Sequence, residues 1–80
     1  MINQKPIHPG KILFHDYMRK YEMTLKELNN LLKMDAHTLR LLVLGKVDID
    51  DKIAHKLASI FDTSSQYWMN LQSTFNKGVT

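Results

Sequence analysis

The sequence predicts an all-α fold of five short helices. Three observations predict it. Apolar residues recur at spacings of three and four, which is the period of amphipathic helices rather than of half-buried strands. Both prolines, Pro6 and Pro9, stand in the first ten of 80 residues, so no ring breaks a helix further along. Residues that cap helix N-termini stand ahead of the apolar stretches: Thr24, Asp35, Asp50, and Ser64 or Ser65.

The first helix is expected from Pro9 to Lys20. Proline suits a first helical position because its missing N–H would be unpaired there anyway. Leu13, Tyr17 and Tyr21 recur at four and form the expected inner stripe, with Ile12 beside them. The second begins at Thr24, where Thr24-Leu25-Lys26-Glu27 has the spacing of a capping box. Leu28, Leu31 and Leu32 are its expected buried face. The third begins at Asp35, whose charge suits a positive helix end, and stops at Gly45, a C-terminal signal. Leu39 and Leu42 face inward.

The fourth helix begins near Asp50, with an apolar stripe of Ile53, Leu57, Ile60 and Phe61. The fifth runs from about 64 to 76, with Trp68, Leu71 and Phe75 at three and four, and Asn76 to Thr80 are expected to fray. The run Leu41-Leu42-Val43-Leu44 is apolar on every side of the third helix. Burial in a central helix is the expected account, and an exposed protein-contact patch is its alternative.

Composition narrows the function. Residues 1–80 are expected to form one domain, since the chain leaves no room for a second. A core this small makes oligomerisation a plausible source of stability. There is no cysteine, which removes disulfides, thiolate metal sites and a cysteine nucleophile together and suits a cytoplasmic location. No apolar run approaches the roughly 20 residues that cross a bilayer, and no signal peptide is expected, so no membrane association is. The net charge of +3 permits a nucleic-acid partner without establishing one.

No enzyme is expected. Asp50 and Asp51 are consecutive on a helix and share no face, so they are no acid–base pair. The serines lack nucleophile-elbow glycines, and Gly10, Gly45 and Gly78 are too dispersed for a phosphate loop. His8, His15, His37 and His55 have no paired ligand spacing. Solvated or singly hydrogen-bonded histidines are expected, with neither metal nor cofactor.

The remaining signal is the joint. Lys33 and Met34 alone separate the second and third helices, the short connection of a helix-turn-helix over about 24–44. Such a joint holds the third helix across the second so that its N-terminal half enters a DNA major groove. Five helices around this pair are the arrangement of small lambda-repressor-like DNA-binding domains.

His8-Pro9-Gly10-Lys11-Ile12-Leu13 resembles the HPGEIL opening of the HigA (VapI-type) antitoxins, a branch of the Xre helix-turn-helix family. Residues Thr63 to Gln72 resemble that branch's closing TSPEFWLNLQ. Leu28, Thr38, Leu39, Leu42, Gly45, Lys46, Ala54 and Leu57 fall in register between them. The resemblance spans residues 7 to 76. It implies a homodimer that reads a palindromic operator, represses its own operon, and neutralises a small ribonuclease toxin of the HigB type. On that reading His37, Thr38 and Arg40 face the bases, and Lys33 and Lys46 hold the backbone. Tyr67, Trp68, Leu71 and Phe75 are the dimer-interface candidates, and toxin contact comes mostly from the folded domain.

This chain also departs from the family. Leu25 replaces a phosphate-contacting glutamine, Asn29 an alanine between the two helices, and Lys33 a turn glycine. The recognition helix opens Asp35-Ala36-His37-Thr38 where the family has Ser-Arg-Asn-Thr, and Leu41 replaces an arginine. These changes leave two alternatives open: a protein-interaction module with weak or no specific DNA binding, and a phage-type regulator without a toxin partner.

Overall fold

The computed structural model describes residues 6–78, whose regular structure is entirely helical. Helix α1 opens at Pro9–Ile12 and continues unbroken into a π-helical stretch, Leu13–Met18. Then follow α2 (Leu25–Leu32), α3 (Ala36–Val43), α4 (Asp51–Phe61) and α5 (Ser65–Gly78). Helix α1 packs on α3 and α5, α2 on α3 and α4, and α4 on α5. Asn76 to Gly78, expected to fray, are helical in α5; Val79 and Thr80 lie outside the described residues, as do positions 1–5.

The first helix corrects its predicted stripe. The Arg19 N–H donates to the Phe14 carbonyl, five residues back, at 3.2 Å. A π turn brings residues five apart into line rather than four. Leu13 and Met18 are therefore the buried pair, whereas Tyr21 is 52% exposed in the turn beyond the helix. Tyr17 keeps a half-buried place between the rings of Phe61 and Trp68.

Elsewhere the core follows the expected faces. Leu28, Leu32, Leu39, Leu42, Leu57 and Phe61 are buried, joined by Met18, Ile49 and Ala54. Ile53 and Ile60 are half-buried flanks, and Leu31 lies off the face at 52% exposure. In the run 41–44 only Leu42 is buried, while Leu41 and Val43 are half-buried. Leu44 is 52% exposed because the helix ends at it. Gly45, at φ 82°, turns the chain away, with the Lys46 N–H closing back on the Leu41 carbonyl at 2.8 Å.

The two end motifs hold the fold together. His8 is buried rather than solvated, and its Nδ1 accepts the Gly10 N–H at 2.9 Å, capping α1. Its Nε2 lies 3.4 Å from Asp48 Oδ1, and its ring meets Phe75 edge-on. Gly10 lies directly against α3, where a Cβ would overlap the Leu42 carbonyl oxygen. At the other end Ser64 caps α5 through the Tyr67 N–H at 3.0 Å. Trp68 is fully buried, and its Nε1–H donates to Thr63 Oγ1 at 2.8 Å. Buried Gln72 accepts the Ile49 N–H at 2.7 Å, pinning the α3–α4 connection to α5.

The Tyr17 hydroxyl donates to Tyr67 Oη at 3.0 Å. Burial, and then that hydrogen bond, push its pKa from 10.0 up to about 12. Folding thus favours the neutral phenol. The associated stability is complete below the unfolded pKa and is lost as pH rises from about 10 towards 12. A Tyr17→Phe variant is expected to lose less stability across that interval, read as the urea midpoint against pH.

Candidate nucleic-acid interface

The helix-turn-helix is assembled from local hydrogen bonds. Thr24 and Glu27 form the expected capping box: the Glu27 N–H donates to Thr24 Oγ1 at 3.1 Å, and the Thr24 N–H to Glu27 Oε1 at 2.8 Å. That backbone donor, with the Thr24 hydroxyl, holds the Glu27 carboxyl below its ordinary pKa. At the other end of α2, Lys56 Nζ donates to the Leu32 carbonyl at 2.7 Å. This lysine from α4 supplies a C-cap that no motif in the sequence announces.

Lys33 makes the turn. It sits in the left-handed region at φ 54°, ψ 44°, its N–H bonded to the Asn29 carbonyl at 2.8 Å. A β-carbon makes that conformation costly by about 1–2 kcal/mol. Glycine avoids the strain but has more freedom to lose, by about 0.5–1 kcal/mol. Lys33→Gly is therefore expected to stabilise by about 0.5–1 kcal/mol, raising Tm by about 4 °C, measured by thermal melting.

Asp35 caps α3. Its Oδ2 accepts the Thr38 N–H at 3.0 Å and the Thr38 hydroxyl at 3.3 Å. The carboxylate is thus turned onto its own helix, and half-buried Thr38 is held in the cap. Ala36 and His37 project to solvent from the first turn of α3 and Arg40 from its last, and Lys33 and Lys46 are exposed at its two flanks. The five residues expected at a DNA surface thus lie on or beside one exposed helix. Between α2 and α3 lies a recess of about 220 Å³, lined by Leu25, Lys26, Asn29, Ala36, Leu39 and Arg40. Asn29 Oδ1 is buried with no hydrogen-bond partner.

This arrangement recurs in solved structures. The HigA antitoxin of Pseudomonas aeruginosa, solved with the higBA promoter, superposes with a TM-score of 0.88 at 36% identity, covering 92% of this chain and 80% of that one. The chain belongs to the HigA branch of the Xre helix-turn-helix family. A Pseudomonas aeruginosa protein in complex with its 18-base-pair operator DNA gives a TM-score of 0.89 at 35% identity, over 96% and 81%. The uncharacterised HTH-type transcriptional regulator YbaQ of Escherichia coli K12 is 31% identical over 70 residues. That match covers 88% of this HigA-family chain and 62% of the relative, so the chain spans less than two thirds of YbaQ's length. No family model matches.

The interface candidates on α5 divide. Trp68 is 0% exposed, enclosed by the rings of Tyr17 and Tyr67, and has no surface left for a second copy. Its place is a core position because it follows the α4–α5 turn and reaches back to Thr63. Tyr67 is 36% exposed, and Leu71 and Phe75 are half-buried. Among the described residues no group of three His, Cys, Asp or Glu side chains suits a metal ion, and no helix is long and apolar enough to cross a membrane.

Proposed function

We propose that the protein is a DNA-binding antitoxin: a homodimer that represses its own operon and neutralises a small ribonuclease toxin by direct contact. The observation that carries the reading is the exposed side of α3, from His37 in its first turn to Arg40 in its last. There His37 and Arg40 project freely beside Thr38, with Lys33 and Lys46 at the flanks. Its likeness to a HigA antitoxin solved with promoter DNA supports the same use. His37, Thr38 and Arg40 meet the base edges, Lys33 and Lys46 meet phosphates, and two copies place their α3 helices one helical turn apart on a palindrome. Tyr67, Leu71 and Phe75 remain as surface for the second copy. The protein acts in the cytoplasm, as one domain.

The test is fluorescence anisotropy on the DNA upstream of its own coding region, against unrelated DNA, at two salt concentrations. Preference by at least about a thousandfold is expected. Arg40→Ala, at an exposed position, is expected to weaken operator binding by about 1–3 kcal/mol with the fold intact by circular dichroism. Unchanged affinity in that variant would reject this groove geometry. Binding without sequence preference that disappears with salt reflects phosphate attraction alone and favours the interaction-module reading. Exposed Leu31 and Leu44 are the surface that reading would use; titration with the adjacent gene's product then separates the two.

A further inference from the structure

The recess between α2 and α3 is lined by several of the residues that set this chain apart from the family it resembles. Leu25 and Asn29 stand four apart on α2, and Ala36 and Arg40 four apart on α3, so each pair shares a helix face. All four residues line the recess. Asn29, where the family has alanine, occupies the space between the helices, and its Oδ1 has no partner to draw it in. At the first turns of both helices the walls are hydrocarbon, Leu25 and Ala36, and Ala36 is exposed. Lys26 and Arg40 place positive charge at the same recess, which suits an approach to an anionic backbone.

Leu25 and Ala36 have no side-chain donor or acceptor to offer a base edge. The one apolar group that base edges display in the major groove is the C5-methyl of thymine. We propose that the Leu25–Ala36 recess takes the 5-methyl group of a thymine in each operator half-site, with Arg40 on an adjacent guanine. This rests on the reading of α3 as the groove-entering helix. It makes Leu25 and Ala36 specificity determinants rather than lost contacts. The helix-turn-helix then reads a thymine methyl in addition to the base edges that the polar side chains of α3 meet.

The experiment uses the full chain on the duplex upstream of its own coding region, with each thymine replaced singly by deoxyuridine, which removes the methyl and nothing else. One position per half-site is expected to lose about fourfold in affinity, the worth of one buried methyl-sized group. The Leu25→Gln variant is expected to bind thymine and deoxyuridine duplexes alike at that position. Ala36→Gln, at an exposed site, gives the same readout should Leu25→Gln fail to fold. Selective wild-type binding that ignores every deoxyuridine substitution overturns the inference. So does the same fourfold loss persisting in both variants. Absence of any preference for the upstream DNA rejects the groove-entering reading itself, and this inference with it.

Discussion

Gly10→Ala is expected to destabilise the protein by about 3 kcal/mol or more. The added Cβ would overlap the Leu42 carbonyl oxygen and lie 2.7 Å from the Leu42 carbonyl carbon. Neither neighbour is a side chain that can rotate away. Either α1 or α3 must shift as a body, which places the cost at or above the usual 1–3 kcal/mol range for overpacking. Alanine's better helix propensity returns only about 1 kcal/mol. A chain of 80 residues has about 4–12 kcal/mol of total stability at typical per-residue values, so the loss is a large fraction of it. The expected thermal readout is a Tm lower by more than about 12 °C. A variant that still folds should also bind DNA more weakly, because Leu42 belongs to the helix that carries Arg40. An unchanged Tm would show that the two helices do not approach as closely as the structure has them.

That contact explains why the opening motif has its residues. The sequence made His8-Pro9-Gly10 readable as a helix start and as a family resemblance, but not as a packing device. The glycine's place against a carbonyl depends on Leu42 of α3, more than thirty residues further on. The histidine cap has its partner only two residues away but uses a side chain outside the usual capping set. Helix starts with a local cause were fully readable: the Thr24 capping box and the Asp35 and Asp50 caps need only neighbours three residues away. The π stretch was not, since nothing in Leu13 to Met18 distinguishes a spacing of five from one of four. Gln72 and Lys56 escaped notice for a related reason. Each bonds a backbone group 23 or 24 residues distant, which no local pattern records. At the candidate interface the residue types were visible. The recess between Leu25 and Ala36 was not, because it exists only once α2 and α3 are packed.

Trp68→Ala is expected to cost about 3–5 kcal/mol, the range for truncating a buried aromatic. The indole is wholly enclosed and touches Tyr17 and Tyr67, with ring centroids 5.1 Å away in each case. Its Nε1–H also ties the start of α5 to Thr63. Alanine removes the ring contacts, the hydrogen bond and the filler between α1 and α5 together, and native-like folding at 37 °C is expected to be lost. Trp68→Phe separates the parts: it keeps most of the apolar volume and loses the donor, for about 1 kcal/mol from the hydrogen bond plus the volume shortfall. The location of the loss is also measurable. A core tryptophan lowers Tm by the same amount at every protein concentration, whereas a residue acting between copies changes how Tm depends on concentration. A Trp68→Phe effect that grew on dilution would move this side chain from the core to the interface between copies, and would require α5 to open on its α1 side when two chains meet.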